Sequence, residues 1–185
     1  MRKIVLLPLI FFLAAGAAAQ ADEDVSCKLP ASIGASPPIR AQILMMIERS
    51  ATFRQQCQRL DIPRLSIQIK TDSEIYERAY KARTTIARSS TGTVAWVRLA
   101  AFGDPTEWLA HEFEHIIEQI DGVDLPHLAE LNRRDAWYTG ENMFETARAL
   151  QTGRLVLREV RSAGRTLARV LKLPVPQPRG DDQGE

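Results

Sequence analysis

The sequence predicts an α+β domain in which a short, mostly antiparallel sheet packs on a central helix, with further helices on its N-terminal and C-terminal sides. Residues 65–70 alternate polar and apolar side chains, and residues 83–88 and 93–100 are rich in β-branched and aromatic types. Residues 89–92, Ser-Ser-Thr-Gly, supply a turn between the last two runs. We therefore expect these two runs to pair as a hairpin.

The central helix has clear start and stop signals. Asp104, Pro105 and Glu107 are typical of a cap, a first turn and a capping box, and Asp121-Gly122 is typical of a helix end. The apolar face predicted to enter the core comprises Leu109, Phe113, Ile116, Ile117 and Ile120. The opposite face, which we expect to line a cleft, comprises Trp108, His111, Glu112, His115 and Glu118.

Helical periodicity predicts three other helices. The first covers about residues 39–60, with an apolar stripe of Ile43, Leu44, Ile47 and Ala51. The second covers residues 140–150 and places Glu141, Glu145 and Arg148 on one face. The third covers residues 154–169, where arginines alternate with Leu and Val at helical spacing, as in an amphipathic helix that ends a domain.

Residues 111–115 read His-Glu-Phe-Glu-His, the H-E-x-x-H pattern. Residues four apart on a helix lie about 40° apart around its axis and one turn along it, so His111 and His115 can direct two imidazoles to one metal ion. Glu112 projects about 100° from His111, beside such an ion, where its carboxylate can take a proton from water. The pattern predicts one Zn²⁺ per chain.

A catalytic zinc site normally uses three protein ligands and leaves one position for water. The extended pattern with a third histidine requires Gly at 118 and His at 121, whereas this chain has Glu118 and Asp121, so that class is excluded. His127 is the remaining histidine and lies just beyond the helix, as a ligand or as a plain loop residue. Glutamates on the helix predicted over 140–150 are the other candidates.

Glu145-Thr146-Ala147-Arg148 matches the pattern E-x-x-A. With the H-E-x-x-H motif, it makes residues 92–150 resemble the gluzincins, zincin metallopeptidases whose motif helix is followed by a second helix bearing a ligand glutamate. The resemblance implies a small zincin-like domain that hydrolyses peptide bonds. It further implies metal ligation by His111, His115 and Glu145, general-base catalysis by Glu112, and an edge strand along the cleft that binds the substrate backbone.

Several roles stay open at this point. Glu141, one turn before Glu145, is the rival third ligand, or it accepts a ring N–H from a ligating histidine. Glu145 itself also fits an ordinary ion pair with Arg148. Tyr138 or His127 could stabilise an oxyanion. The opposing hypothesis is a non-catalytic exported protein with a structural or vestigial metal site, which acts through a partner surface.

The first residues predict export. Arg2-Lys3, an apolar run over 4–15 and Ala19-Gln20-Ala21 follow the order of a signal peptide, which we place at residues 1–21. The run is too short for a good membrane span, so a periplasmic or secreted protein without a stable span is expected. We predict one domain over residues 22–173. Residues 174–185 begin with closely spaced prolines, at 174, 176 and 178, and are predicted to form a disordered tail.

Charge and cysteine content limit the partners. With 24 basic and 23 acidic residues the net charge is +1, which favours neither a nucleic-acid surface nor a polyanionic substrate. A peptide or protein substrate is expected, and the oligomeric state stays open. In an oxidising compartment Cys27 and Cys57 would form a disulfide worth roughly 3 kcal/mol, with two free thiols as the alternative.

Overall fold

Helices cover one face of a four-stranded sheet, and a separate two-stranded hairpin lies beside the central helix. The computed structural model describes residues 28–77, 81–131, 134–140 and 143–171. In chain order, the elements of these residues are β1 (Ile33–Ala35), α1 (Pro37–Arg49), α2 (Ala51–Leu60), β2 (Leu65–Asp72), α3 (Ser73–Glu77), β3 (Ala82–Ser89), β4 (Gly92–Ala100), α4 (Thr106–Ile120), α5 (Leu125–Leu131), β5 (Ala136–Gly140), β6 (Met143–Thr146) and α6 (Ala147–Leu171).

The sheet has the strand order β1-β2-β4-β3 and is mixed. The predicted hairpin is confirmed as the antiparallel pair β3–β4, and the predicted run 65–70 lies within β2. The prediction of a mostly antiparallel sheet is wrong, because β1–β2 and β2–β4 are parallel. Helices α1 and α2 connect β1 to β2 and return the chain to the end of the sheet where β1 begins, so that these two strands run parallel. Strand β4 lies between β2 and β3 and runs parallel to β2. Alternation reveals which face is buried but not strand direction.

One face of the sheet forms one side of the hydrophobic core. The buried side chains on its two central strands are Leu65, Ile67, Ile69, Ala95, Val97 and Leu99. Residues of α1, α2, α4 and α6 complete the same cluster, with Phe53 stacked on Phe113 at a ring separation of 5.4 Å. The helices therefore anchor α4 against the sheet by its apolar face.

The N-terminal helical segment is two helices, not the single helix predicted over 39–60. Ser50 has extended backbone angles, and its hydroxyl accepts a hydrogen bond from Phe53 N at 3.0 Å, which caps α2. Glu159 accepts from the same hydroxyl at 2.5 Å, so α6 holds the break in place. Within the predicted stripe, Ile43 and Ile47 are buried but Leu44 and Ala51 are exposed. Because of the break at Ser50, the buried positions of α2 do not continue the helical period of α1.

The central helix α4 is enclosed on two sides. Its predicted apolar face is confirmed, since Leu109, Phe113, Ile116 and Ile117 are fully buried. On the other side α6 approaches so closely that a Cβ on Gly153 would lie 2.7 Å from Glu107 O and 3.2 Å from His111 Cβ. The polar face is therefore more buried than expected: His111, Glu112 and Glu118 are buried as well.

The helix predicted over 140–150 is wrong for its first half. Residues 136–140 and 143–146 pair as an antiparallel hairpin, and α6 begins only at Ala147. The Thr146 hydroxyl accepts from Ala149 N at 3.0 Å, a cap that fixes the start of α6. The predicted final helix, 154–169, is confirmed as part of α6. Glu145 therefore lies on strand β6 and not on a helix.

Some predictions fall on residues outside the described ranges. These are the signal peptide at 1–21, Cys27, Glu141 and the tail at 174–185. Cys57 is buried in α2, and its disulfide with Cys27 stays a prediction. Within the described ranges no helix combines the length and the apolar character needed to cross a membrane.

Candidate metal centre

Three side chains from two elements converge beside α4. His111 and His115 are one turn apart on α4, and their Nε2 atoms are 3.1 Å apart. Glu145 reaches them from β6: its Oε2 lies 3.3 Å from His111 Nε2 and its Oε1 lies 3.5 Å from His115 Nε2. The donor atoms of these three residues all lie within 4.8 Å of one another, a grouping that could hold a metal ion. The structure thus brings together the three residues that the sequence predicts as ligands.

The donor set fits a small tetrahedral cation. Bonds of about 2.0–2.1 Å to a tetrahedral zinc ion place neighbouring ligand atoms roughly 3.3 Å apart. The two imidazole Nε2 atoms are 3.1 Å apart, and each lies near a different Glu145 oxygen, at 3.3 Å for His111 and 3.5 Å for His115. Two imidazoles and one carboxylate are also a donor set used by catalytic zinc sites.

The electrostatics of the cluster favour positive charge. Burial lowers the pKa of His115, but Glu118 and Glu145 outweigh it and raise that pKa to about 10. Burial raises the pKa of Glu145, but hydrogen bonds from His111 and His115 outweigh it and lower that pKa to about 2. Without a metal the cluster therefore holds a proton between ionised groups, and a bound cation would take the place of that proton.

Glu112 lies on the same helix and lines the cleft, but it is not part of the three-residue cluster. Burial raises its pKa, although the charges of His115 and His111 act in the opposite direction. The Thr84 hydroxyl on β3 also favours its charged form, and this oxygen has no hydrogen bond of standard geometry among the described residues. A carboxyl group with a raised pKa at the edge of a cleft is suited to accept and release a proton.

Glu118 is a site residue whose role the sequence did not define. It is 2% exposed, with Oε2 3.0 Å from His115 Nδ1, and Oε1 accepts from the Thr146 hydroxyl at 2.8 Å. The sequence proposed Glu141 for such a contact, and Glu141 lies outside the described residues. The sequence does contain a signal for the contact between Glu118 and His115, because residues three apart on a helix are neighbours.

A cleft of about 450 Å³ opens beside the cluster. It lies between β3, which is an edge strand of the sheet, and the β5–β6 hairpin. Its lining from β3 is Ala82, Arg83, Thr84, Thr85 and Ile86, and its lining from the other elements is His111, Glu112, His115, Gln119, Leu125, Thr139, Met143, Phe144 and Glu145. The three clustered residues and Glu112 therefore share one open space with β3, whose outer side pairs with no other strand of the described residues.

Two other predicted site residues lie away from this cleft. His127 is exposed on α5, and its backbone N–H donates to Asp124 Oδ1 at 3.1 Å. Tyr138 on β5 is 51% exposed and packs on Phe144 at a ring separation of 4.7 Å. Neither residue is in the metal cluster or in the cleft lining. The roles of His127 as a ligand and of either residue as an oxyanion donor stay predictions.

The chain matches no protein family, no curated protein and no solved structure. The resemblance to gluzincins therefore depends on the motifs, and the case for a function depends on the geometry of the site.

Proposed function

We propose that the chain is an exported zinc-dependent peptidase that hydrolyses peptide bonds in the cleft beside α4. The observation that carries this proposal is the convergence of His111, His115 and Glu145, with donor separations of 3.1 to 3.5 Å, next to a buried carboxyl group in an open cleft. A cluster that served folding alone would not need the adjacent cleft or the buried carboxyl group of Glu112.

His111, His115 and Glu145 would hold one zinc ion. Bound zinc polarises a carbonyl group and lowers the pKa of water toward neutrality. Glu112 then accepts the proton of the attacking water and passes it to the leaving nitrogen. Its burial beside the cleft favours the protonated form, which can deliver the proton to the leaving nitrogen.

The proposed substrate is an extended peptide or protein segment. Strand β3, an edge strand of the sheet formed by the described residues, contributes five consecutive residues, 82–86, to the cleft wall. An unpaired edge offers backbone N–H and C=O groups, with which an extended substrate can pair as a further strand. Such pairing would recognise the substrate backbone, and the half-buried apolar side chains of Met143 and Phe144 in the cleft wall could contact substrate side chains.

Export is proposed from residues 1–21, whose order of basic, apolar and small residues is typical of a signal peptide. The working compartment would be the periplasm or the extracellular medium.

The competing function is a non-catalytic protein with a structural metal site. A structural zinc ion normally takes four protein ligands, whereas a catalytic one takes three. The cluster found among the described residues has three members and adjoins a cleft, which favours catalysis.

Metal analysis and peptide cleavage on the purified mature chain test the proposal. We expect one zinc per chain after zinc-replete purification, and cleavage of unfolded protein that a chelator abolishes and added zinc restores. Glu145→Gln should weaken zinc binding, whereas Glu130→Gln, an exposed change on α5, serves as the control and should not. A chain that binds no zinc, or one that binds zinc but cleaves no peptide in a broad mixture, would refute the peptidase assignment.

A further inference from the structure

A continuous chain of hydrogen bonds connects the metal cluster to the start of α6. The backbone N–H of Ala149 donates to the Thr146 hydroxyl at 3.0 Å, and that hydroxyl donates to Glu118 Oε1 at 2.8 Å. The second oxygen of Glu118 lies 3.0 Å from His115 Nδ1. Both linking residues are buried, with Glu118 2% and Thr146 1% exposed. A buried polar chain of this kind is costly if any member loses its partner.

Once a bound cation has displaced the extra proton of the cluster, the contact with Glu118 favours a proton on His115 Nδ1. The two carboxyl oxygens of Glu118 face different partners, so Glu118 can accept from the Thr146 O–H and from an N–H at His115 Nδ1 at once. When His115 is neutral, a proton on Nδ1 leaves the lone pair on Nε2. It is Nε2 that faces His111 Nε2 and Glu145 Oε1. The hydrogen bond thus selects the tautomer that can coordinate a metal.

Thr146 also fixes the third ligand. Its backbone N–H donates to Glu145 Oε1 at 2.7 Å, so the residue next to the ligand orients the ligand carboxylate. Its side chain connects the end of β6 to Glu118 on α4. A hydroxyl is needed here because the oxygen both donates to Glu118 and accepts from Ala149. One residue therefore sets the position of Glu145 and, through Glu118, the ring of His115.

We propose that Glu118 and Thr146 are positioning residues of the metal centre, which together lock the His115 ring and hold the Glu145 strand against α4. This inference rests on the proposed zinc site but not on peptide cleavage. Partners of this kind typically change metal affinity by 10- to 100-fold when they are removed. A structural role alone, as the cap of α6, would change stability and leave the affinity of the folded protein unaltered.

The test compares zinc affinity and unfolding across matched threonine variants. Thr146→Val keeps the shape and removes the hydroxyl, Thr146→Ser restores it, and Thr152→Val makes the same change at a half-buried position of α6. Zinc dissociation constants come from chelator competition at a temperature where all variants are folded, as monitored by circular dichroism. We expect Thr146→Val and Glu118→Gln to weaken zinc binding at least about tenfold. Thr146→Ser and Thr152→Val should remain near the unmodified chain.

The absorption spectrum of the Co²⁺-substituted protein gives a readout of ligand geometry. We expect Thr146→Val to alter its visible bands and Thr146→Ser to restore them. Equal zinc affinity in Thr146→Val and Thr152→Val, with an unchanged Co²⁺ spectrum, would overturn the proposal and reduce Thr146 to a helix cap. An unmodified chain that binds no zinc would overturn it as well. Weakened zinc binding in a chain that cleaves no peptide would support positioning while refuting the peptidase.

Discussion

Glu112 and Glu114 lie two positions apart on α4 and are almost equally buried, at 4% and 5% exposed, but their surroundings differ. Glu114 accepts hydrogen bonds from Arg148 Nε at 2.6 Å and from Gln56 Nε2 at 2.8 Å, so both oxygens have fixed donors. Glu112 faces the cleft, and burial raises its pKa. A buried carboxylate with fixed donors ties elements together, whereas one that faces a cleft without such donors is available for proton transfer.

The largest expected effect is on catalysis. Glu112→Gln keeps the size of the side chain and every proposed ligand, so we expect zinc to stay bound while peptide hydrolysis falls by at least about a hundredfold. Elemental analysis and initial cleavage rates measure the two effects separately. Hydrolysis that stays within about tenfold of the unmodified chain would move the general base to another residue.

The matching change at the second glutamate should affect stability instead. Glu114→Gln leaves Arg148 and Gln56 with a neutral partner, and we expect the free energy of unfolding to fall by about 1–3 kcal/mol. The lower end is favoured because the Arg148 side chain is 42% exposed and water can replace the lost charge. Urea unfolding gives the free energy, and cleavage per folded molecule should be unchanged. Loss of activity at unchanged stability would reverse the contrast between the two glutamates.

The ion pair of Glu114 with Arg148 requires α6 to lie close to α4, and two glycines of α6 can test this approach. Gly153→Ala would place a Cβ 2.7 Å from Glu107 O, so we expect a loss of about 1–3 kcal/mol from overpacking and weaker zinc binding through displacement of His111. Gly164→Ala meets Arg49 at an ordinary 3.6 Å and should stabilise by about 0.5–1 kcal/mol. Thermal unfolding of both variants measures this difference. Equal changes in thermal stability for the two variants would mean that α6 can move away from α4 without loss of stability.

A third glutamate, Glu159, extends the contrast to a half-buried position and gives the smallest effect. Burial raises its pKa, but hydrogen bonds from Ser50 and Thr52 outweigh this and hold the pKa below its usual range. A lowered folded-state pKa stabilises the fold above the unfolded-state value, about 4.3, and the contribution disappears as pH falls through the folded-state value. Glu159→Gln should therefore cost about 1 kcal/mol at neutral pH. Its difference from the unmodified chain, measured by urea unfolding, should shrink under acid; a constant difference would contradict this.

The parts of the fold that the sequence predicts correctly are those with a local cause. The β3–β4 hairpin follows from a four-residue turn between two β-rich runs, and the apolar face of α4 follows from its 3.6-residue period. The convergence of His111 with His115 is equally local, because they are four positions apart on one helix.

The features that the sequence misses depend on contacts between distant residues. The break at Ser50 is held by Glu159, more than a hundred positions later, and the parallel β2–β4 pairing requires knowledge of where β3 lies. Glu145 was expected on a helix because its neighbours show helical spacing, but the hairpin partner Trp137 pairs with it as a strand. The E-x-x-A pattern thus predicts a glutamate that does lie beside the two histidines, while the strand that carries it is determined by pairing with β5.

The sequence separation of the proposed ligands has a consequence for folding. His115 and Glu145 are thirty positions apart, and α5 and the β5–β6 hairpin lie between them. An ion held by both would close this stretch of chain into a loop, as a covalent cross-link does. Restricting a loop of about this length in the unfolded chain corresponds to an entropic stabilisation of roughly 3–4 kcal/mol. An ion at this position would therefore also stabilise the fold as a cross-link. Chelation would lower the stability of the segment from α5 to the start of α6 before it affected the sheet.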